Sequence, residues 1–374
     1  MILAGEASGE QHGADLMHAL RRIAPGTAFE FFGSGGPRMR QAGADILIDI
    51  NQVSIIGPVE ILKAWRSILQ AFRTLKQAAR ERQPDAVILI DWPEFNLKML
   101  RFLKQIGRRT IYYISPQLWA WRRYRLRTIK RYVDKMVVIL PFELDFYRQA
   151  GVEVEFVGHP LVEMVRATKD RTAFCAEHQL EPDRPIISFL PGSRRSEVTH
   201  IFPVMLEAMA RLRSLGAQFV VPLAHTIPRA WAQTMMRGEH SALGLTLIEH
   251  DTYNAVAHSE LAVVASGTAT LETALLETPL IVVYRSSTLN YCLIRPLIHL
   301  NTFGMVNLIA GERIAPELIQ FDMTPARLAE TIYGLFQNPS ARAIMKQKLK
   351  QVKQKLGIGN AAERAAKIVM NVLL

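Results

Sequence analysis

Short runs of apolar residues recur along the chain, and each is followed by a loop and then by a segment whose apolar positions have helical spacing. In the first half these runs are ILAG, AFEFFG, DILIDI, AVILID, TIYYIS and KMVVIL. A second series follows the PDRP at 182–185 and comprises IISFLPGS, QFVVPLA, LTLIE, LAVVASG and LIVVYR. Such alternation is typical of βαβ units that form a parallel sheet with helices on both faces. The pattern therefore predicts an α/β protein with two doubly wound domains.

The length of 374 residues supports this division, because it exceeds what one hydrophobic core ordinarily serves. We place the first domain at 1–165 and the second at 166–339, with the connection somewhere in 158–185. The tail from 340 to 374 begins with a basic segment whose apolar residues have helical spacing. We therefore expect a C-terminal helix that packs back on the first domain.

Composition narrows the class of protein. Apolar residues make up 49% of the chain, which fits a folded globular protein and excludes a polar disordered one. The formal charge of +11 indicates an anionic partner, which could be nucleic acid, an acidic membrane surface or a phosphorylated substrate. Two isolated cysteines, Cys175 and Cys292, and the lack of a secretory leader favour a reducing cytoplasm. No apolar run reaches about 18 residues, so any membrane contact should be peripheral.

The loop after the first strand, GEASGEQHGADL at 5–16, is the first candidate for chemistry, because ligands of open parallel sheets bind beyond the carboxyl ends of the strands. Ser8 and Gly9 let a ligand approach the backbone, and the start of a helix favours anions. Glu6 is either a solvated loop charge or a polar contact to substrate. An ordinary tight turn between strand and helix remains an equal alternative.

Asp91 ends the run VILID, where a buried strand has no packing use for a carboxylate. The following Trp92-Pro93 prevents an immediate helix start. A carboxylate at the crevice is partly desolvated, which raises its pKa and makes it a usable general base. The alternative is that Asp91 caps the next helix or accepts backbone N–H bonds.

The segment ISPQLWAWRRYRLRTIKRY at 114–132 interleaves aromatic and basic residues after another strand. Trp119 and Arg122 could stack and pair with nucleic-acid bases and phosphates, or with a sugar ring and a sugar phosphate. A solvated basic helix face has the same composition.

Two loops in the second half predict a nucleotide site. In FLPGSRRSEV, at 189–198, small residues expose the backbone and an arginine follows that could bind a diphosphate. In VVASGTATLE, at 263–272, a helix start is followed one turn later by a carboxylate that could hold a ribose diol. Ordinary helix caps and a surface acid are the alternative. The residues concerned are Gly192, Ser193, Arg194, Ser266, Gly267, Thr268 and Glu272. Asn307 in GMVNLIAG is either a further polar contact or a turn-former.

The helical segment 57–80 has an apolar stripe surrounded by lysine and arginine. It either packs on the sheet or lies in a lipid headgroup layer. The stripe includes Ile61, Trp65, Ile68 and Phe72.

No metal or cofactor is predicted. The ten histidines have no HxxxH or HExxH spacing, no cysteines cluster, and no DxD pair is present. The charge of a leaving group would therefore be met by arginine and helix dipoles.

Taken together and in order, the motifs resemble one family, the lipid-A-disaccharide synthases. The resemblance covers nearly the whole chain. It is carried by GEASGE, GGPRMRQAG, VSIIGPVEIL, IDWPEFNLKM, YYISPQLWAWR, LPFELDFY, FVGHPLVE, LPGSRRSEV, ASGTATLET and VNLIAG.

The resemblance implies a GT-B glycosyltransferase with two doubly wound Rossmann-like domains that face a central cleft. The first domain would bind the acceptor and the second the UDP-sugar. The implied reaction joins UDP-2,3-diacylglucosamine to 2,3-diacylglucosamine 1-phosphate (lipid X) with inversion, giving the β-1,6 tetra-acyl disaccharide 1-phosphate and UDP in lipid A biosynthesis. No metal is implied.

Matched by position, Asp91 is the family's proposed general base and Glu6 its first-loop acid, and we count both as catalytic. Arg194 and Glu272 match UDP-side residues, with Gly192, Ser193, Ser266, Gly267 and Thr268 in the same loops, and Asn307 matches a late-loop asparagine. For the acceptor we expect contacts from Ser8, Gly9, Trp119 and Arg122. The chain departs from the family pattern at Trp92-Pro93-Glu94 and Met305-Val306, which bears on acceptor fit more than on the reaction.

The resemblance also favours the interpretation that segment 57–80 lies in a lipid headgroup layer, with Ile61, Trp65, Ile68 and Phe72 in contact with the membrane. We therefore expect a cytoplasmic protein bound peripherally to the inner membrane, with a homodimer possible and no nucleic-acid partner. Two alternatives remain at this stage: a UDP-N-acetylglucosamine 2-epimerase, which shares the fold but uses no lipid, and a basic nucleic-acid-binding protein.

Overall fold

The computed structural model describes residues 1–50, 60–236, 243–297 and 302–373. The chain divides into two compact units. Unit 1 comprises Met1–Pro160 and Ile358–Leu374, and unit 2 comprises Leu161–Gly357. Each unit is built on one parallel sheet with helices on its faces.

The sheet of unit 1 has seven parallel strands in the order β3-β2-β1-β4-β5-β6-β7. They are β1 (Ile2–Ala4), β2 (Phe31–Gly35), β3 (Ala44–Asp49), β4 (Ala86–Ile90), β5 (Arg109–Tyr113), β6 (Lys135–Val138) and β7 (Val154–Phe156). The central strands β1 and β4 are buried along their whole length, because helices cover both faces. This is why they have continuous apolar sequences rather than alternating ones.

The helices of unit 1 follow the strands in alternation. They are α1 (Ala7–Ile23), α2 (Pro37–Gln41), α3 (Glu60–Glu81), α4 (Pro93–Gln105), α5 (Leu126–Tyr132) and α6 (Pro141–Gln149), with a 3₁₀ turn at Arg123–Arg125. The C-terminal helix α17 (Ala361–Leu373) also belongs to this unit and packs on α1. Arg109 donates to the carbonyl of Leu373 (2.7 Å), and Arg364 donates to the carbonyl of Val157 (2.7 Å). The end of the chain is thereby attached to the sheet of unit 1.

The sheet of unit 2 has six parallel strands in the order β10-β9-β8-β11-β12-β13. They are β8 (Ile186–Leu190), β9 (Gln218–Leu223), β10 (Thr246–Glu249), β11 (Leu261–Ala265), β12 (Leu280–Tyr284) and β13 (Glu317–Ile319). Phe189, Phe202 and Val263 are fully buried in its core.

The helices of unit 2 lie on both sides of this sheet. They are α7 (Leu161–Met164), α8 (Arg171–Glu177), α9 (Arg195–Arg211), α10 (Arg229–Thr234), α11 (Thr252–Ala257), α12 (Ala269–Leu275), α13 (Thr288–Ile294), α14 (Met305–Ala310), α15 (Pro325–Phe336) and α16 (Pro339–Lys355). Residues 339–355 of the tail therefore pack in unit 2, and residues 361–373 pack in unit 1.

All eleven apolar runs of the sequence form strands. The two strands without a predicted run, β7 and β13, are edge strands of three residues each. Such short segments carry too few residues for a recognisable pattern.

In each sheet the strand order reverses at one place, between β1 and β4 in unit 1 and between β8 and β11 in unit 2. The loops that leave these strands diverge there and form a crevice at the carboxyl edge, which is where doubly wound folds bind ligands. Four of the loops predicted to carry chemistry leave these strands, whereas Trp119 and Arg122 follow β5 and Asn307 lies in α14. None of the described helices has the length and apolar content needed to cross a membrane.

Candidate active site

Asp91 lies immediately after β4, at the point of strand-order reversal in unit 1. Asp91 and Trp92 both have left-handed backbones, with φ of 45° and 46°. This conformation is unfavourable for residues with a Cβ and persists only where the surroundings hold it. The Asp91 carbonyl accepts hydrogen bonds from the Tyr112 hydroxyl (2.6 Å) and the Asn96 amide (2.8 Å). The backbone at Asp91 is therefore held in one orientation.

The Asp91 side chain is half-buried, and its pKa is raised to about 6. Burial is the largest cause and the negative charge of Glu6 is the second, while a hydrogen bond from the Trp92 backbone acts in the opposite direction. The carboxylate is thus ionised at neutral pH but has a proton affinity well above that of an ordinary aspartate. That combination is suited to a general base.

Glu6, Ser8 and Gly9 lie in the loop and first turn after β1. Glu6 and Ser8 are exposed, and the Glu6 charge acts on Asp91. The structure therefore brings Glu6 and Asp91 together. Gly9 is buried, and a Cβ built on it would make ordinary contacts with Ala4 and Ile90.

Gly5 has a packing role that the sequence did not reveal. A Cβ built on Gly5 would lie 2.0 Å from the indole of Trp92, so the ring packs directly on the Gly5 backbone. Trp92 in turn stacks on Phe95, with ring centroids 4.0 Å apart and planes 2° apart. The loop after β1 and the turn after β4 are therefore packed against each other.

Trp119 and Arg122 are already engaged within unit 1. Trp119 is 6% exposed, and its indole N–H donates to the buried carboxyl of Glu143 (3.1 Å). Burial raises the pKa of Glu143 to about 8. Arg122 is half-exposed, pairs with Glu94 and lies over the ring of Trp121 (4.2 Å). Trp119 thus packs in the core, whereas Arg122 could exchange Glu94 for another anion.

Gly192, Ser193 and Arg194 follow β8, at the point of reversal in unit 2. Gly192 has a φ of 120°, which favours glycine. The N–H groups of Ser193 and Arg194 point to the carboxylate of Glu197, at 3.3 and 3.4 Å. The Arg194 side chain is 78% exposed and touches Glu197 only at 3.5 Å. The guanidinium is therefore accessible to an external anion.

Ser266, Gly267 and Thr268 follow β11 in the same crevice of unit 2. Gly267 has a φ of 152°, and a Cβ built on it would meet no described atom within 4 Å, so this backbone borders open space. Ser266 donates to the carbonyl of Phe303 (2.8 Å), which holds the loop in place. Thr268 is exposed.

Glu272, one turn further along α12, is a second carboxyl with a perturbed pKa. Burial raises its pKa, and a hydrogen bond from the Tyr253 hydroxyl (3.3 Å) partly opposes the rise. The pKa of Tyr253 is itself raised to about 12, first by burial and then by the charge of Glu272. The pair presents a carboxylate and a hydroxyl at one place, which suits recognition of a diol.

Asn307 is 1% exposed and serves the loop around it. Its amide donates to the carbonyl of Ala315 (2.9 Å) and to Glu317 (2.8 Å), and its oxygen accepts from the N–H groups of Ile314 and Ala315 (both 2.9 Å). All four hydrogen-bonding positions of the side chain are thus used. Any contribution of Asn307 to a ligand passes through the loop that it holds.

The predicted membrane-contact residues lie on α3. The side chains of Ile61 and Trp65 lie outside the described residues. Ile68 and Phe72 are half-buried and pack on the core of unit 1, with Phe72 edge-on to Phe95 (4.7 Å). Leu69, between them, is 41% exposed.

Among the described residues, Glu177, His178 and Asp251 place three potential metal-ligand atoms within 4.8 Å of one another. The ammonium group of Lys169 contacts Glu177 (2.6 Å) and Asp251 (2.9 Å). This cluster is therefore arranged as an ion-pair network around a lysine.

Sequence reasoning missed four residues of these crevices: Tyr112, Asn96, Tyr253 and Glu197. Tyr112 and Asn96 lie within quoted motifs, but a buried tyrosine and a helix asparagine carry no signal of their own. Their roles depend on which backbone atoms they meet in three dimensions.

The chain matches one protein family along almost its whole length. A family model described as lipid-A-disaccharide synthetase matches residues 1–371. The lipid-A-disaccharide synthases of Syntrophus aciditrophicus and Myxococcus xanthus are each 44% identical to this chain over 375 residues. Each match covers 100% of this chain and 97% of the relative.

Solved structures with similar folds are more distant in sequence. The UDP-GlcNAc 2-epimerase of Neisseria meningitidis, bound to UDP-GlcNAc, has a TM-score of 0.64 at 12% identity and covers 97% of both chains. A glycosyltransferase of Rickettsia africae has a TM-score of 0.61 at 11% identity, covering 100% of this chain and 97% of that one. At this identity the likeness concerns the fold alone, and it confirms the predicted GT-B class.

Proposed function

The chain belongs to the lipid-A-disaccharide synthase family of glycosyltransferases, and from that premise we propose the substrates that it joins and the residues that act on them. The donor is UDP-2,3-diacylglucosamine and the acceptor is 2,3-diacylglucosamine 1-phosphate. The products are the β-1,6-linked tetra-acyl disaccharide 1-phosphate and UDP. The proposal rests above all on the half-buried Asp91, whose pKa of about 6 suits proton removal from a sugar hydroxyl.

In the proposed step, the 6-hydroxyl oxygen of the acceptor attacks the anomeric carbon of the donor from the side opposite UDP. The new C–O bond forms as the bond to the diphosphate oxygen breaks, and configuration at that carbon inverts. The hydroxyl proton passes to the Asp91 carboxylate. The negative charge of Glu6 supports this role, because it raises the pKa of Asp91 and so strengthens the base.

The donor is assigned to unit 2. We assign the diphosphate to Arg194 and to the backbone of Gly192, Ser193, Ser266, Gly267 and Thr268, since the guanidinium is exposed and the Gly267 backbone borders open space. These groups would stabilise UDP as it gains charge on leaving. Glu272 would hold the ribose diol, supported by Tyr253. Asn307 would contribute by holding its loop.

The acceptor is assigned to unit 1. Arg122 would bind the 1-phosphate by exchanging its partner Glu94 for the ligand. Ser8 and Gly9 would border the sugar at the loop after β1. Because the Trp119 indole N–H is already bonded to Glu143, Trp119 would act by supporting the wall of this site.

We assign peripheral contact with the cytoplasmic face of the inner membrane to α3, whose first turns carry Ile61 and Trp65. Leu69 supports this, because an exposed leucine lies between the exposed Arg66 and Arg73, a pattern suited to anionic headgroups. Leu69→Glu should weaken co-sedimentation with anionic phospholipid vesicles several-fold. Ile344→Glu, at an exposed site on α16, is the matched control. Equal binding by both variants and the parent would refute the assignment.

A homodimer remains a prediction, which light scattering tests.

The reaction is tested by incubating the purified chain with the two acylated substrates. Mass spectrometry should detect a tetra-acylated disaccharide phosphate together with UDP. Asp91→Asn should lower kcat by about 100-fold or more while donor affinity stays near normal. Near-normal turnover in this variant would end the assignment of the base.

Two further assays test the alternatives that the sequence left open. Epimerisation of UDP-N-acetylglucosamine without any acyl acceptor would favour a 2-epimerase. Steeply salt-dependent binding to nucleic acid would favour a nucleic-acid-binding protein. The family match over residues 1–371 supports neither alternative.

A further inference from the structure

The Asp91-Trp92 turn has an unusual backbone conformation at the proposed catalytic crevice. Two successive residues with side chains adopt left-handed conformations, and Ile114, at the end of the neighbouring strand β5, does the same with a φ of 63°. An L-residue reaches this region only at a steric cost. A change of φ and ψ at Asp91 toward ordinary values would reorient its Cα–Cβ bond relative to β4, and the carboxylate would move with that bond.

Two buried side chains oppose that rotation by holding the Asp91 carbonyl. The Tyr112 hydroxyl donates to this oxygen at 2.6 Å, and Tyr112 is fully buried in β5. The Asn96 Nδ2 group donates to the same oxygen at 2.8 Å, and also approaches the carbonyls of Ile90 (3.3 Å) and Leu3 (3.4 Å). One amide thereby ties the ends of β1 and β4 to the turn.

Asn96 makes these contacts at a cost. It is 0% exposed, and its Oδ1 atom has no hydrogen-bond partner within the described part of the chain. A buried amide usually satisfies both of its polar atoms. Here the amide nitrogen is directed at three backbone carbonyls, while the amide oxygen remains without a partner in the described residues.

We infer that Tyr112 and Asn96 are positioning residues, which fix the Asp91 carboxylate by clamping the carbonyl of the same residue in its left-handed turn. This inference rests on the proposed role of Asp91 as the base. The indole of Trp92, packed on Gly5 and stacked on Phe95, holds the same turn through separate contacts.

The clamp matters because a general base must lie within about 3 Å of the proton that it removes. Displacement by about 1 Å is enough to lower a rate by roughly 100-fold. The titratable group that acts on the Asp91 carboxyl is Glu6, from the loop after β1, and the charge of Asp91 in turn contributes to the raised pKa of Tyr112. The burial of Asp91 is the main reason for its raised pKa, so a released turn would also return that pKa toward its ordinary value.

Tyr112→Phe is the test variant, because it removes one hydroxyl and keeps the ring. We expect kcat to fall about tenfold, the KM of both substrates to stay near normal, and the acid limb of the kcat–pH profile to move to lower pH. Thr110→Val is the matched control. Thr110 lies two residues earlier in β5, is fully buried, and also donates its hydroxyl to a backbone carbonyl, that of Tyr132 (2.6 Å). Its kcat and acid limb should match those of the parent.

A double-variant cycle separates positioning from general destabilisation. If Tyr112 acts through Asp91, then Tyr112→Phe should lower the residual turnover of Asp91→Asn by less than twofold. An equal tenfold loss in both backgrounds, or an unchanged acid limb in Tyr112→Phe, would overturn the inference. Gly5→Ala, which forces the Trp92 ring away, should reproduce the loss of kcat and the shift of the limb should Tyr112→Phe fold poorly.

The two proposals fail in different ways. Near-normal turnover of Asp91→Asn would refute the base itself, whatever Tyr112 does. A strongly impaired Asp91→Asn together with an unaffected Tyr112→Phe would refute only the clamp.

Discussion

The two units have the same frame and different chemistry. Both sheets are doubly wound, and in both most of the candidate residues follow the two strands between which the order reverses. In unit 1 this crevice gathers acids, with Asp91 half-buried and close enough to Glu6 for its charge to be felt. In unit 2 it gathers glycine-rich loops and the exposed guanidinium of Arg194. The shared fold therefore sets the position of each crevice, and the loops set its side chains, which in the proposed function assign proton transfer to unit 1 and phosphate binding to unit 2.

Among the substitutions that test this difference between the units, removal of the exposed Arg194 side chain should have the largest effect on activity. Arg194→Ala should lower kcat/KM for the donor by about 100-fold, because a charge-assisted contact to the departing diphosphate is lost. Arg194→Lys should recover only part of this loss, since an ammonium group cannot form the two-pronged contact. Steady-state kinetics with varied donor measures both.

Arg211→Ala is the control for Arg194. Arg211 is exposed at the opposite end of the same helix, α9, so its loss removes an equal charge from a site remote from the loop. If the two alanine variants lost activity equally, the effect would reflect net charge, and Arg194 would have no specific role.

The difference between the candidate residues of the two units could be predicted in part from the sequence. Asp91 could be located because the end of a buried apolar run marks the carboxyl edge of a strand, and a carboxylate has no packing role there. The glycine-rich loops were located in the same way, since backbone freedom and strand ends are local properties. An apolar run is a local property too, and every predicted run became a strand.

Roles that depend on which residues meet in three dimensions could not be predicted from the sequence. Trp119 has the composition of a stacking residue but donates its N–H to a buried glutamate. Asn307 was predicted as a ligand contact, but all four of its hydrogen-bonding positions are used within its own loop. Tyr112 reaches the Asp91 carbonyl because of the register in which Leu89 and Ile90 of β4 face Tyr112 and Tyr113 of β5. No local pattern encodes a register or a partner.

The acidic crevice of unit 1 should show itself in the pH dependence of turnover. A base works only when deprotonated, so kcat should rise as pH increases through the Asp91 pKa of about 6. At pH 5 turnover should be about tenfold below its plateau, since each pH unit below the pKa removes about nine-tenths of the ionised form. Glu6→Gln should move this limb to lower pH, because the Glu6 charge is one cause of the raised pKa.

The Glu6 prediction is checked by kcat–pH profiles of the parent and of Glu6→Gln under substrate saturation. Glu163→Gln is a control acid in unit 2 that should leave the limb in place. A limb in Glu6→Gln identical to that of the parent would show that Glu6 does not act on the group that titrates.

The smallest expected effect concerns Glu272, the acid of the unit 2 crevice whose pKa is raised by burial. Tyr253→Phe removes the hydroxyl that donates to Glu272 (3.3 Å), so the donor KM should rise about threefold with kcat unchanged. Because that hydrogen bond lowers the pKa of Glu272 against the effect of burial, its loss should raise the pKa further and make the KM rise larger at acid pH. Tyr333→Phe, at an exposed position on α15, controls for loss of a tyrosine hydroxyl. A kcat change in Tyr253→Phe without a KM change would instead place Glu272 in the chemical step, and the two crevices would then no longer divide proton transfer from nucleotide binding.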